Sequence, residues 1–129
     1  MAISRWAHAS FLDGGIAAFK AAVEAAGGAM LVISGTSNPA DRAAALAAAL
    51  ATKATPTVTL TGGAGADRTA TISAATGLAI SPSGDANGIA FIDGSILWFI
   101  TTCTPQALVS GGTVDVPAFT IVEKQPVAP

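Results

Sequence analysis

The chain has 129 residues, of which 51% are hydrophobic and only 11% charged, whereas about 25% is typical of a soluble domain. This length and composition exclude charge-driven disorder and predict a single domain over residues 1–129. A net charge of −2 argues against a non-specific nucleic-acid binder, and a single cysteine excludes an internal disulfide and a cysteine-cluster zinc site.

The N-terminal third is predicted to hold a first helix followed by a buried strand. Asp13 is a suitable helix cap before two glycines, and apolar residues then recur at helical spacing until Gly27-Gly28 ends the helix. The apolar run of residues 29–34 is short and partly β-branched, which is typical of a buried strand.

A second helix is predicted to start at Asn38. Asn38 is a favourable cap, Pro39 suits the first helical position, and Asp41 falls in the first turn. The following Ala- and Leu-rich run has high helix propensity, so we expect this helix to continue to about Thr52.

The chain changes character after residue 55, where strand patterns recur every 8–12 residues. Strands are expected over 57–61, 68–73, 78–81, 89–92, 95–102 and 113–122, with turns at 82–85 and 87–88 and an edge or bulge at Pro117. Asp93-Gly94 is predicted to form a two-residue type I′ turn, with Gly94 at positive φ. The run 96–100 is apolar on both faces, so it should be a central strand.

These patterns predict an α+β fold that is mainly β. We expect an antiparallel sandwich or barrel-like sheet, with one or two helices in the N-terminal third covering an edge or one face. Residues 1–12 are a candidate N-terminal arm, and residues 124–129 are a candidate extended C-terminal tail.

Catalytic, metal and cofactor sites are not expected. Neither His8 nor Cys103 lies in a nucleophile motif, and Cys103 is predicted to be a small buried hydrophobe. The glycine-rich loop 62–67 lacks the lysine of a phosphate-binding loop, and residues 85–88 lack the glutamate of a calcium loop. A pair of carboxylates could still meet in space, from the set Asp67, Asp85, Asp93 and Asp115.

The aromatic residues divide into two groups. We expect the strand aromatics to pack in the core: Phe91, Trp98, Phe99 and Phe119. Trp6 and Phe11 precede the predicted first helix and are candidate interface residues, as are Pro126 and Pro129 in the tail. The sparse charge favours a protein whose surface is buried by neighbouring subunits. The alternative is that the many alanines raise the hydrophobic fraction and no such burial occurs.

No membrane span or secretory signal peptide is expected, because the longest strongly apolar run is far below the ~18 residues that a span needs. The lone cysteine is compatible with synthesis in a reducing cytoplasm.

The second half resembles small virion proteins of tailed bacteriophages and prophages. The matching residues are 84–108 and 111–121, with the Asp93-Gly94 hairpin, the stretch Thr101-Thr102-Cys103-Thr104, and the final strand 112–118. Residues 33–36 and 39–41 are also similar. The longer Ala-rich helix and the glycine-rich 61–68 depart from this pattern.

The resemblance implies a capsid decoration or cement protein without catalytic residues or cofactors. Its partners would be the major capsid protein and further copies of itself, with a trimer favoured, on a virion assembled in the bacterial cytoplasm. A head-fibre base or a tail tube or tip module is the alternative, and a small surface- or carbohydrate-binding module is a lesser one. Asp93 and Gly94 would then be structural turn residues.

Overall fold

The computed structural model describes residues 3, 6–7, 9–35, 37–62 and 68–123. Two helices are α1 (Ala9–Glu24) and α2 (Arg42–Ala47). The strands are β1 (Trp6–Ala7), β2 (Ala29–Ile33), β3 (Ala49–Ala54), β4 (Val58–Thr61), β5 (Arg68–Ile72), β6 (Ala75–Ala79), β7 (Gly84–Ile92), β8 (Leu97–Leu108), β9 (Thr113–Val116) and β10 (Phe119–Glu123). The prediction of a mainly β, antiparallel α+β structure with one or two helices is confirmed.

The strands form three sheets in which every described pairing is antiparallel. A five-stranded sheet has the order β1-β8-β7-β2-β3, a three-stranded sheet the order β10-β5-β4, and a two-stranded sheet joins β6 to β9. The longest pairing joins β7 to β8, from Gly84 opposite Leu108 to Ile92 opposite Leu97. The predicted apolar run at 97–100 lies inside this sheet, between β1 and β7.

The five-stranded sheet is covered on both faces, which explains why β2 is buried at every position. On one face, side chains from α1 and from the two smaller sheets pack against Met30, Val32 and Phe91. On the other face, Ala45 of α2 and Ile3 pack against Leu31 and Ile33. Each helix therefore covers a different face of the same sheet.

Aromatic rings fill the interior between α1 and the five-stranded sheet. Phe19 lies edge-on to Phe91 with ring centroids 5.2 Å apart, and its ring also contacts Trp98 and Phe99 at 6.4 Å. Edge-to-face geometry places the positive ring edge on the negative ring face. The predicted core placement is confirmed for Phe91, Trp98 and Phe99, whereas Phe119 is half-buried.

The first helix begins earlier than predicted. It starts at Ala9, before Asp13, and contains a non-helical kink at Gly15, where φ is 76° and ψ is −174°. The kink falls at the predicted start because glycine adopts positive φ without a steric penalty. The predicted stop is confirmed, since Gly27 has a φ of 91° and follows the end of the helix at Glu24.

The second helix is much shorter than predicted. It begins at Arg42 with Asp41 as its cap, whose Oδ1 accepts from the Ala44 N–H at 2.8 Å, and it ends at Ala47. Residues 49–54 of the predicted helix form β3 instead. Pairing with β2 and burial of Leu50 and Ala51 outweigh the preference of alanine for helices. That preference, relative to other ordinary residues, is below about 1 kcal/mol per residue.

The predicted turn at Asn87-Gly88 is wrong, because both residues lie inside β7. Gly88 is opposite Ile33, and a Cβ at Gly88 would come within 2.9 Å of the Ile3 side chain. Asn87 accepts from the Gly35 N–H through Oδ1 and donates to the Gly35 carbonyl through Nδ2. Close packing therefore accounts for Gly88 in this strand, and the side-chain bridge to Gly35 accounts for Asn87.

The hairpin at Asp93-Gly94 occurs where predicted, but it is not a two-residue type I′ turn. Ile92 pairs with Leu97, so residues 93–96 form the connection, and Gly94 is not at positive φ. The Asp93 N–H donates to the Ile96 carbonyl, and the Asp93 Oδ1 accepts from the N–H groups of Ser95 and Ile96. The aspartate side chain therefore organises a longer loop.

The predicted last strand is divided at Pro117. Residues 113–116 form β9 beside β6, whereas residues 119–123 form β10 beside β5 in a different sheet. The predicted strand at 78–81 is shifted, since β6 runs from Ala75 to Ala79. Proline has no N–H for a sheet ladder, which accounts for the break between β9 and β10.

Candidate binding groove

A groove of about 470 Å³ opens beside the five-stranded sheet. Its floor is formed by Val32, Ala86 and Ile89, which are buried side chains of β2 and β7. Val32 pairs with Ile89, and Ile89 pairs with Thr101, so these three side chains form one transverse row. The groove therefore lies next to the region where α1 packs. It is displaced along the strands from the row formed by Phe91 and Phe99.

The two walls of the groove are strands. One wall is β8, which contributes residues 101–104 and Gln106. The other wall comprises residues 114–117 and 119–120, at the passage from β9 to β10. This passage exists because Pro117 interrupts the predicted single strand.

The β8 wall contains a wide bulge. Thr102 is opposite Gly88 and Gln106 is opposite Ala86, so residues 103–105 of β8 face Asn87 alone. Bulges increase local twist and redirect side chains, and a proline inside a strand is tolerated at such an irregularity. Pro105 occupies this bulge.

The groove lining is mixed, with more apolar than polar surface, and it carries little charge. Hydroxyl groups come from Thr101, Thr102, Thr104 and Thr120, and Asp115 is the one charged side chain among the lining residues. Asp115 accepts from the Gly77 N–H through Oδ1 at 2.8 Å, and its Oδ2 has no hydrogen-bond partner among the described residues. This lining suits an occupant that combines apolar surface with a few hydrogen-bonding groups.

Cys103 also lines the groove, and it is half-buried rather than fully buried as predicted. Burial raises the pKa of the Cys103 thiol. The thiol is therefore a weak nucleophile at neutral pH, because the thiolate is the reactive form.

The predicted interface residues lie elsewhere or outside the described residues. Trp6 is half-buried in β1, opposite Ile100, and packs against the core on the α2 face of the sheet. Phe11 lies within α1. Pro126 and Pro129 fall outside the described residues, as do His8 and residues 63–67 of the glycine-rich loop.

The structure separates two of the described candidate carboxylates. Asp85 and Asp93 lie at opposite ends of β7, about 26 Å apart along an extended strand. Asp115 lies on β9, and Asp67 is outside the described residues. Among residues 3, 6–7, 9–35, 37–62 and 68–123, no group of three His, Cys, Asp or Glu side chains could hold a metal ion.

The groove was not predicted from the sequence, although its β8 wall carried one signal. Pro105 interrupts a pattern that otherwise continues the apolar strand, and a proline there marks an edge or a bulge. The opposite wall carried a similar signal at Pro117, which was predicted to mark an edge or a bulge, but the entry of β9 and β10 into different sheets was not predicted.

Comparison with known proteins gives no relative to guide the interpretation. No protein-family model, curated protein or solved structure matches the chain. Within the described part of the chain, no helix is long and apolar enough to cross a membrane.

Proposed function

We propose that the chain is a structural protein of a tailed-bacteriophage virion that binds the capsid surface as a decoration protein. In this role it contacts the major capsid protein and further copies of itself, and it bridges neighbouring capsomers. The observation that carries the proposal is that residues 84–108 and 111–121, which resemble such virion proteins, include β7 to β9 and both groove walls.

The exposed surface supports a role in assembly. Leu46, Leu60, Val109 and Val122 are large apolar side chains exposed to solvent, and Val109 is 69% exposed. With only 11% charged residues in the chain, close approach of a second protein surface leaves few charges to desolvate. A contact of about 800 Å² per partner, repeated over many copies, stabilises a shell without any chemical reaction.

The arrangement of sheets suits a rigid surface module. We infer that the five-stranded sheet and the two smaller sheets pack as a sandwich-like body, since residues of all three contribute to one core. In such a body the exposed strand edges are the natural places for contacts with other chains.

Carbohydrate binding is a second candidate, and the hydroxyl-lined groove favours it. Thr102, Gln106 and Asp115 offer donors and acceptors of the kind that bind sugar hydroxyl groups, and Phe119 provides a half-buried ring. A screen of neutral oligosaccharides by calorimetry would detect this activity, and Gln106→Ala would weaken it.

The proposed function is tested by mass spectrometry and cryo-electron microscopy of particles that carry this chain. We expect the chain in hundreds of copies per particle, with density on the shell at three-fold positions. Density confined to the tail or to a head-fibre base would replace the capsid role with the alternative virion role. Absence of the chain from purified particles would contradict both.

A further inference from the structure

We propose that Asn87-Gly88 is a site of spontaneous covalent modification that reacts in the unfolded chain and is protected by the fold. The reaction is deamidation of Asn87 through a cyclic imide formed with the backbone nitrogen of Gly88. This inference is independent of the proposed function, because it depends only on the position of the two residues in β7 and on their contacts there.

The position of this pair in the fold is unusual. Asn-Gly is typical of tight turns, and a glycine inside a strand has an entropic cost. Here the pair lies in β7, the middle strand of the five-stranded sheet, and Gly88 is opposite both Ile33 and Thr102. A pair that favours turns is therefore held in an extended strand with a neighbour on each side.

The reaction depends on the residue that follows the asparagine. The backbone nitrogen of Gly88 attacks Cγ of Asn87, the new C–N bond closes the imide, and the bond from Cγ to Nδ2 breaks. The amide proton of Gly88 leaves with the Nδ2 group as ammonia. Water then opens the imide at either carbonyl and leaves aspartate or isoaspartate at position 87. Glycine favours the attack because it has no side chain to obstruct it and reaches more backbone conformations than other residues.

The chain contains an internal control for this chemistry. Its two asparagines are Asn38 and Asn87, and Asn38 is followed by Pro39. The nitrogen of proline carries no hydrogen, so it cannot lose a proton to the leaving ammonia. The two asparagines therefore differ in the step on which the proposal depends.

In the folded protein the side-chain amide of Asn87 is fixed by two hydrogen bonds. Its Oδ1 accepts from the Gly35 N–H at 3.1 Å, and its Nδ2 donates to the Gly35 carbonyl at 2.6 Å. Rotation of the amide towards the Gly88 nitrogen requires both bonds to break. The bridge that connects β7 to the segment after β2 thus also restrains the reacting carbon.

The attacking residue is fixed as well. Gly88 is buried, and a Cβ at this position would lie 2.9 Å from the Ile3 side chain and 3.2 Å from that of Ile33. Its backbone cannot rotate out of the strand unless β7 separates from this packing. Reaction therefore requires opening of the sheet, and its rate follows the small population of open molecules.

The products do not fit the folded structure. A carboxylate at position 87 has no N–H to donate, and it places an acceptor oxygen against the Gly35 carbonyl. Isoaspartate passes the main chain through the side-chain carbon, so it lengthens the backbone and shifts the register of β7 against its neighbours. Modification of an unfolded chain therefore makes its unfolding irreversible.

Peptide mapping by mass spectrometry tests the site. The full chain is incubated at mildly alkaline pH, either folded or unfolded in guanidinium chloride. We expect conversion of amide to acid at Asn87 in the unfolded chain, at least about ten-fold slower conversion in the folded chain, and none at Asn38. Equal rates at Asn87 in the two samples would overturn the protection by the fold. Conversion at Asn38 as fast as at Asn87 would overturn the imide route.

Refolding tests the consequence for the structure. A partly converted, unfolded sample is returned to native buffer, and the folded and aggregated fractions are separated and mapped. We expect the converted residue to be depleted in the folded fraction, and equal content in both fractions would contradict the proposal.

A matched pair of variants tests the same point without the reaction. Asn87→Asp introduces one product directly and should lower the guanidinium midpoint of unfolding. Asp85→Asn makes the reverse exchange at an exposed position of the same strand and should leave the midpoint unchanged. If both variants unfold at the midpoint of the unmodified chain, the fold accommodates the product and the inference is wrong.

Discussion

At the scale of single residues, Asp93 connects the β7–β8 loop to two distant parts of the chain. Its Oδ2 accepts from Trp98 Nε1 at 2.7 Å, and its backbone carbonyl accepts from Arg42 Nε at 2.7 Å. Partial burial by itself raises the pKa of the Asp93 carboxyl. Hydrogen bonds from Trp98, Ile96 and Ser95 and the nearby Arg42 charge outweigh burial, so the pKa is lowered overall.

Asp93→Asn should destabilise the protein by about 1–3 kcal/mol, because an amide N–H₂ would then face the Trp98 N–H. Trp98→Phe removes the other partner, and the two variants together should cost less than the sum of their separate effects. Urea unfolding of the four proteins in this cycle measures the coupling. Strict additivity would mean that the Asp93–Trp98 hydrogen bond contributes nothing.

Gly27 and Gly94 lie close together but differ in the room that each leaves for a side chain. A Cβ at Gly27, where φ is 91°, would lie 3.0 Å from the Gly94 Cα, whereas a Cβ at Gly94 would have its nearest contact at 4.0 Å. Gly27→Ala should therefore cost at least about 1–2 kcal/mol and Gly94→Ala less than about 0.5 kcal/mol. Equal losses in thermal unfolding would mean that the loop conformation is different.

At the scale of elements, α1 holds the edge of β4 through a three-way contact. Lys20 Nζ donates to Glu24 Oε1 at 2.6 Å, and both side chains bond to the Val58 backbone. The hydrogen bond from Lys20, followed by that from the Val58 N–H, lowers the pKa of the Glu24 carboxyl. The ion pair is about one-third exposed, so its charge attraction alone contributes little.

Glu24→Ala should accelerate amide hydrogen exchange at Val58 and cost about 1–2 kcal/mol, because it removes the acceptor of that N–H. Glu24→Gln keeps an acceptor oxygen and should cost less than about 1 kcal/mol. Native-state exchange measured by NMR separates the two variants. The reverse order of effects would show that charge, rather than edge capping, is the main contribution.

The strands also show which parts of the fold can be predicted from local sequence patterns and which cannot. β2, β4 and β5 were predictable because their alternation or apolar character directly reflects burial. β3 was not, since Ala49–Ala54 has helical propensity and becomes a strand only through the open edge of β2. The groove depends on two such non-local pairings, of β9 with β6 and of β10 with β5. For that reason no single segment of the sequence predicted it.

At the scale of the whole molecule, the two lowered carboxyl pKa values make stability depend on pH. Because the pKa values of Asp93 and Glu24 are lower in the folded state, the unfolded state binds protons first as pH falls. The stabilisation is complete above about pH 4.3, the ordinary pKa of glutamate, and is lost as pH falls through the folded-state values.

The combined variant Glu24→Gln with Asp93→Asn should therefore lose less stability than the unmodified chain between neutral pH and pH 3. Urea unfolding at a series of pH values gives the free energy of unfolding of both proteins as a function of pH. The prediction concerns the slopes of the two curves and not their absolute values. Parallel curves would assign the acid sensitivity to other groups.

The order of strands in the five-stranded sheet has a consequence for synthesis on the ribosome. β2 pairs with β7, some 60 residues later, and β1 pairs with β8 near residue 100. A nascent chain therefore carries the apolar segment Ala29–Ile33 without β7 beside it until residue 92 has been translated. Contacts this distant in sequence slow folding, so we expect translation to finish before folding does and prematurely terminated chains to be degraded.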